Sequence, residues 1–542
     1  MTPLDELRAA VEAAAGELRN GGGTAVVRPT LERPKKAGFG DYSTNAAMLL
    51  APALGEPPRA IAERLGEALR DRLAGRVERV EVAGPGFINL FLADGWYLHA
   101  VDAVLAAGAA YGAAEPPAGE RIQIEFVSAN PTGPLTAASG RHAAFGDALA
   151  RILERAGNEV DREYYFNDAG GQVQRLGASI QARARGEAPP EDGYQGDYVA
   201  ELAAAIPGAA ELDVSEVARA GVEIMIARIR ASLERYRVHF DRWFLEATLY
   251  EGDPSPWHRA RAELAERGLS YEAEGALWLR TTVLGDDKDR VLVRSTGEPT
   301  YFAADVAYHW DKLARGYDHL INVLGADHHG YVSRLKATVA AVGADPARLE
   351  VPLLQFVNIV EGGERASMSK RRGDFVTLDE LIDEIGVDAT RWFMLSRSHE
   401  SPVDLDLTLA KSQSSENPVY YVQYAHARIA SMLRRAGEER VAAALAASRE
   451  GLALEPAERE LVRRLLAFPA EVADAAERRA PHRIAAYALE LAQVFTAFYR
   501  DCRVVGAEPE ALESFRIALS VATQRVIAGA LGLLGVSAPE SM

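Results

Sequence analysis

The chain of 542 residues has a single cysteine, Cys502. One thiol cannot build an intrachain disulfide or a cysteine-based zinc site, so a reducing compartment fits. Its apolar and aromatic surroundings make Cys502 read as a buried structural thiol. Long hydrophobic runs are also missing. No apolar stretch reaches the roughly 18 residues that a membrane span needs, and the apolar segment 526–536 is short and carries glycine, which suits a core helix. The opening residues Met1-Thr2-Pro3-Leu4-Asp5-Glu6 show no basic segment followed by an apolar one. No signal peptide is therefore expected, and the cytoplasm is the expected location. Nor is there a surplus of positive charge. Lys and Arg number 60 against 78 Asp and Glu, a net charge of −18. Taken alone, that balance argues against a nucleic-acid binder, but a large acidic body has room for local basic patches.

Hydrophobic residues make up 48% and charged residues 25% of the chain, the profile of a globular protein with real cores. Its length implies about three or four domains. The first segment, 1–112, opens with an amphipathic helix in which Leu4, Leu7, Val11 and Leu18 share one face. A loop, Lys35-Lys36-Ala37-Gly38-Phe39-Gly40-Asp41-Tyr42, and a strand–turn–strand over 80–92 make it an α+β unit. The stretch 113–119 contains Pro116-Pro117 and reads as a linker. In the second segment, 113–404, a strand at Ile122, Ile124 and Phe126 leads through a loop into a helix, then a strand at 163–166. That order opens a parallel α/β domain of Rossmann type. Further strands of it are expected at 291–293, 320–324 and 354–360, with a helical insertion over about 170–250. The third segment, 405–542, is helical throughout, with stripes Val422–Ala425–Ile429–Leu433 and Leu489–Ala492–Phe495–Tyr499, and reads as an all-α helix bundle.

Ligands of parallel α/β sheets sit at the carboxyl ends of strands. The loop Ser128-Ala129-Asn130-Pro131-Thr132-Gly133-Pro134 lies there and feeds a helix start near Thr136–Gly140, whose free N–H groups favour an anion; an ordinary helix cap explains the same residues. Ser367-Met368-Ser369-Lys370-Arg371-Arg372-Gly373 suits a loop closing on phosphates, with Lys370 offsetting charge on a leaving group; a solvated basic loop is the plainer reading. Tyr301 and Asp305, four apart, share a helix face, and a carboxylate is the natural bidentate partner of a guanidinium; a surface Asp is the alternative. Asp327-His328-His329 lacks the further ligands a metal site needs, so no protein-bound metal is expected and the imidazoles read as hydrogen-bonding groups.

In this order the pieces resemble the arginyl-tRNA synthetases of class I, over essentially the whole chain. The resemblance rests on Gly40-Asp41-Tyr42-Ser43-Thr44-Asn45, Gly84-Pro85-Gly86-Phe87-Ile88-Asn89, Glu125-Phe126-Val127-Ser128-Ala129-Asn130-Pro131-Thr132-Gly133-Pro134 and Tyr164-Tyr165-Phe166-Asn167-Asp168-Ala169-Gly170. Two further stretches are Asn417-Pro418-Val419-Tyr420-Tyr421-Val422-Gln423-Tyr424-Ala425-His426-Ala427-Arg428 and Leu533-Leu534-Gly535-Val536. It implies an N-terminal tRNA-binding domain, a Rossmann catalytic domain and a helical anticodon-binding domain. It implies ATP with magnesium, L-arginine and tRNA(Arg) as ligands of a monomer. Ser128 and Asn130 would hold the amino-acid end of arginine, and Tyr301 and Asp305 its guanidinium, with Glu125 in the same pocket and His328 or His329 between arginine and adenosine. ATP would meet Pro131, Gly133, Gly140, Met368, Ser369 and Lys370, and tRNA would meet Lys35, Lys36, Tyr42, Asn45, Tyr421, Tyr424 and Arg428.

The sequence departs from the family at two points. Ser367 stands where the mobile loop usually has its first lysine. Where the family has His-x-Gly-His, this chain has Thr136-Ala137-Ala138-Ser139. Thr136 and Ser139 keep hydroxyl donors at the helix start and are the expected catalytic stand-ins, with His142 one turn further on. The loss also motivates an alternative, a catalytically impaired or repurposed relative that binds tRNA. A cysteine-specific relative would need a cysteine zinc site, which one Cys cannot supply. An acidic scaffold would explain the charge but none of the ordered motifs.

Overall fold

A computed structural model describes residues 3–19, 29–34, 38–114, 119–361, 364–365 and 376–542. Lys35, Lys36, Ser367, Met368, Ser369 and Lys370 lie outside the described residues.

The N-terminal helix Pro3–Arg19 buries Leu4, Leu7 and Val11, as their spacing demands. It packs with further helices on a four-stranded antiparallel sheet ordered Leu31–Glu32, Tyr42–Thr44, Phe87–Leu92, Val77–Ala83.

The centre of the molecule is a five-stranded parallel sheet. Its order is Leu349–Glu350, His319–Asn322, Arg121–Glu125, Glu159–Phe166, Arg242–Leu245. The chain leaves Arg121–Glu125 towards one neighbour and later returns on its other side. The carboxyl end of that strand is thus a switch point, where an open parallel sheet leaves a crevice. The Ala137–Arg155 helix lies very close to the strand end: a Cβ on Gly146 would stand 2.2 Å from the Phe126 ring. Phe126 in turn stacks on Phe240, with centroids 4.4 Å apart.

Between Glu159–Phe166 and Arg242–Leu245, the helices Gly171–Ala184, Asp197–Ala205 and Val214–Arg235 gather their own core around Leu176, Ile180, Val199, Leu202 and Val217. Two expected strands belong elsewhere. Arg290–Val293 joins Ala276–Leu279 and Ser270–Ala273 in a separate antiparallel sheet. Val357–Glu361 pairs in parallel with Val403–Asp406, also outside the central sheet. Short apolar runs mark a strand but carry nothing about its partner.

Helices then run to the C-terminus, among them Pro418–Ala436, Pro456–Leu466, His482–Asp501 and Glu510–Leu533. Cys502 is buried there. Two arginines join the parts. Arg463 donates to Asp41 at 2.5 Å and to the Tyr97 hydroxyl at 2.9 Å, tying the C-terminal helices to the N-terminal sheet. Arg391, fully buried, pairs with Asp147 and donates to the carbonyls of Leu534 at 2.8 Å and Tyr236 at 3.0 Å. Gly535, at φ +66°, permits that approach; a Cβ there would lie 2.2 Å from Arg391. Among the described residues, no helix is long and apolar enough to cross a membrane.

Candidate active site

Two loops flank the switch point: the one after Arg121–Glu125 and the one after His319–Asn322. The first is held in an unusual conformation. Val127 and Ser128 both have positive φ, +68° and +39°, which side chains with a Cβ adopt only under constraint. The constraint comes from the neighbouring strand. The Tyr165 N–H donates to Ser128 Oγ at 3.2 Å, and the Tyr164 hydroxyl donates to the Ala129 carbonyl at 2.9 Å. Further along, the Tyr198 hydroxyl donates to the Thr132 carbonyl at 2.8 Å and sits against Gly133. Pro131 and Thr132 are buried, whereas Asn130 is exposed and donates to Gln172 at 2.6 Å.

The helix Ala137–Arg155 opens at this loop. Thr136 is its N-cap, its hydroxyl oxygen accepting from the Ser139 N–H at 3.2 Å, and the two hydroxyls lie 3.3 Å apart. Described backbone beyond the basic loop returns here: Ala137 N–H donates to Val376 at 2.9 Å and Leu378 N–H to Leu135 at 2.8 Å. Gly140 faces Leu378 so closely that a Cβ would stand 2.8 Å from it. His142 is held neutral, burial and the neighbouring Arg141 pushing its pKa down to about 4.

Asp305 lies in the helix Tyr301–Ala314, half-buried at the cleft. Burial pushes its carboxyl up to about 7; the nearby charges of Glu125 and Glu246 add to this, while a hydrogen bond from Tyr331 and the charge of Lys312 oppose it. Tyr301, at the first turn, is 58% exposed, and its hydroxyl lies 3.8 Å from where a Cβ on Gly170 would be. Beneath Asp305 runs a buried polar chain. Lys312, fully buried, donates to Glu125 at 2.6 Å and to Asn322 Oδ1 at 2.9 Å. The His309 Nδ1 and the Asp305 carbonyl are 2.8 Å apart, and a carbonyl only accepts, so Nδ1 carries the proton. Nε2 then accepts from Asn322 Nδ2 at 3.1 Å. Burial first, and Lys312 second, drive the His309 pKa down to about 3, which keeps this tautomer neutral. On the far side the Tyr165 hydroxyl donates to Glu246 at 2.7 Å; burial raises the Glu246 pKa.

Around Asp305 stand Glu125, Glu246, Tyr331 and Lys312, while Ser128 and Asn130 lie on the loop after the Arg121–Glu125 strand. His328 and His329 are exposed on the turn Ala326–Tyr331, His328 lying 3.6 Å from Asp327. Among the described residues, no group of three His, Cys, Asp or Glu side chains is placed to hold a metal ion. Lys312, His309, Asn322, Glu246 and Tyr331 were not singled out from sequence. Only Tyr331 had a nearby signal, closing the Asp327-His328-His329-Gly330 turn.

A second candidate surface lies on the C-terminal helices. Tyr420 and Tyr424 stack with centroids 6.0 Å apart and planes nearly parallel, at 9°. The Arg428 guanidinium lies 4.6 Å from the Tyr424 ring centre and 5.5 Å from that of Tyr499. Tyr424, Arg428 and Tyr499, together with Arg434, Arg435 and Arg503, line a cavity of about 600 Å³. Tyr421 instead faces inward, its hydroxyl donating to Thr496 at 3.0 Å. Tyr42, expected on the tRNA side, is 8% exposed, and its ring lies edge-on to Trp96. Asn45 accepts from the Thr30 N–H at 2.9 Å and holds the local loop.

Comparison with known proteins matches three stretches of the chain to family models. Residues 5–92 match the arginyl tRNA synthetase N terminal domain, 255–410 the class I (R) tRNA synthetase catalytic domain, and 422–542 the DALR anticodon binding domain. The arginine–tRNA ligase of Frankia alni is 48% identical over 100% of both chains. That of Shouchella clausii is 46% identical over 94% of each. The structure of a putative arginyl-tRNA synthetase from Campylobacter jejuni superposes with a TM-score of 0.77 at 33% identity, covering 83% of this chain and 100% of that one. Thermus thermophilus arginyl-tRNA synthetase gives 0.76 at 25% identity over 99% and 100%. The chain belongs to the arginyl-tRNA synthetase family.

Proposed function

We propose that the cleft at the switch point is where this chain performs its family's reaction, joining L-arginine to tRNA(Arg) with the consumption of ATP. The activity is that of an arginine–tRNA ligase, a class I aminoacyl-tRNA synthetase. A repurposed, non-charging relative is not favoured, given near-half identity to arginine–tRNA ligases along the whole chain.

The observation that carries the assignment of the site is Asp305. It is a carboxylate at the cleft, with Glu125 and Glu246 close enough to raise its proton affinity. Such a site lacks one positive charge, and a planar guanidinium supplies it with matching bidentate geometry. In this reading Tyr301 covers the guanidinium, and Ser128 and Asn130 hold the amino-acid end. The triphosphate of ATP lies at the start of the Ala137–Arg155 helix, where the helix dipole favours an anion. Thr136 acts there as the cap of that helix start, and Ser139 adds a hydroxyl. Pro131, Gly133 and Gly140 shape the nucleotide's approach, with Met368, Ser369 and Lys370 assigned to the loop over the phosphates. Magnesium arrives coordinated by the phosphates of ATP.

The arginine carboxylate attacks the α-phosphate, giving arginyl-adenylate and pyrophosphate. A terminal ribose hydroxyl of tRNA then attacks the adenylate carbonyl and releases AMP. Positioning and charge stabilisation do this work, and no protein nucleophile is required. Tyr424 and Arg428, with Tyr421 behind them, present a stacking surface to anticodon bases. Lys35, Lys36 and Asn45 are assigned to the tRNA side of the N-terminal segment. In this reading the chain works as a monomer in the cytoplasm, where translation supplies its tRNA.

The test is exchange of pyrophosphate into ATP, with and without arginine and tRNA. Arginine-dependent exchange is expected. Exchange driven equally well by another amino acid would remove the assignment.

A further inference from the structure

Asp305 Oδ2 accepts a hydrogen bond from the Tyr331 hydroxyl. The two residues come from different elements, the helix Tyr301–Ala314 and the turn Ala326–Tyr331, and are 26 positions apart. Other charged and titratable groups surround the carboxylate. Glu125 faces it from the central strand and Glu246 from the turn Glu246–Leu249, both disfavouring its charge. Tyr165 and Tyr250 stand beside Glu246. Lys312 and His309 come from Asp305's own helix. Lys312 is committed to Glu125 and Asn322, at 2.6 and 2.9 Å, and His309 is neutral. Tyr331 is therefore the group that bonds the carboxylate side chain directly. Burial and the adjoining carboxylate raise the Tyr331 pKa far above its ordinary value, so the phenol remains a donor. Its ring is fixed from behind by Arg334, whose guanidinium lies 5.1 Å from the ring centre.

We propose that Tyr331 is a specificity-determining residue, holding Asp305 as an ionised acceptor so that the pocket takes a guanidinium and refuses a neutral isostere of the same shape. The inference rests on reading Asp305 as the guanidinium ligand. A carboxylate only accepts hydrogen bonds, which suits the five N–H donors of a guanidinium. A protonated carboxyl also donates, and so matches the ureido oxygen of citrulline. A hydrogen bond to the charged form favours that form. Without the phenol, Glu125 and Glu246 act against a carboxylate that has lost its donor, and the proton is retained to higher pH.

The test compares full-length wild type, Tyr331→Phe and Asp305→Asn in tRNA charging across a pH series. Arginine KM, ATP KM and kcat are read at each pH, with citrulline as competitor. For Tyr331→Phe the arginine KM near neutrality should rise roughly tenfold, the size of one hydrogen bond to a charged group. The pH at which that KM levels off should move upward, citrulline should compete better, and the ATP KM and the kcat at saturating arginine should hold. A merely structural role would instead raise both KM values together and leave the arginine profile at the wild-type pH. That outcome, or superimposable profiles, would overturn the proposal. Asp305→Asn separates the two layers. If it keeps wild-type arginine affinity, the pocket assignment itself fails. If it loses arginine while Tyr331→Phe retains the wild-type profile, only the role of Tyr331 fails.

Discussion

At Asp305, burial and two neighbouring carboxylates oppose one phenol and one ammonium, and the balance leaves the carboxyl pushed up to about 7. The consequence for stability has a definite sign. A carboxyl raised in the folded chain favours folding most below its unfolded pKa, and that contribution is lost as pH climbs through about 7. A bound guanidinium reverses the effect, because it needs the charged form. The rise in Tm on adding L-arginine should therefore be larger at about pH 8 than at about pH 6, since the protonated carboxyl must first lose its proton. A thermal-shift titration at the two pH values checks this, and equal shifts would count against it. Lys312→Met should cost about 3–5 kcal/mol, because Glu125 keeps a buried charge without its partner. Denaturant unfolding reads that loss. The helix that places Asp305 one turn from Tyr301 was legible in sequence. Lys312, Asn322 and His309 were not, because their roles come from a strand and a helix that meet only in the fold.

The helix Ala137–Arg155 opens at Thr136, where the chain departs from the His-x-Gly-His pattern of its family. Free N–H groups at a helix start attract anions whatever side chains sit there. Thr136 caps this helix, its hydroxyl accepting from the Ser139 N–H at 3.2 Å. Thr136→Ala should cost about 1 kcal/mol of stability, while Thr136→Ser should be near neutral. Thermal unfolding of both variants tests the cap, and equal losses would contradict it. The element was read from sequence correctly as strand, loop and helix. Its positive-φ pair Val127 and Ser128 was not, since neither residue type favours that conformation and the constraint comes from Tyr164 and Tyr165 on another strand. The burial of Tyr42 was hidden in sequence for a related reason. Its motif is family-like, but alternation along Tyr42–Thr44 turns the ring into the core.

Across the whole molecule, charge is unevenly spread. The net value is −18, yet Arg428, Arg434, Arg435 and Arg503 share one cavity with Tyr424 and Tyr499. Composition could not reveal that patch, because Arg428, Arg434 and Arg435 share the helix 418–436, and Tyr499 and Arg503 join them only when the end of the helix 482–501 packs alongside. Arg428→Ala removes the guanidinium lying by two rings and should raise the tRNA KM roughly tenfold, the cost of one stacked contact. The arginine KM should stay unchanged, which initial rates at varied tRNA and varied arginine will show. Arg463 and Arg391 join the N-terminal, catalytic and C-terminal parts into one body. Every part of this account depends on Asp305 receiving the guanidinium. The most direct measurement is arginine-dependent charging of tRNA by Asp305→Asn beside wild type, with folding of both confirmed by Tm. The account predicts that the variant folds, still binds ATP and tRNA, and requires at least about a hundredfold more arginine, the loss expected for a buried charged pairing. Charging at the wild-type arginine KM by the folded variant would contradict it.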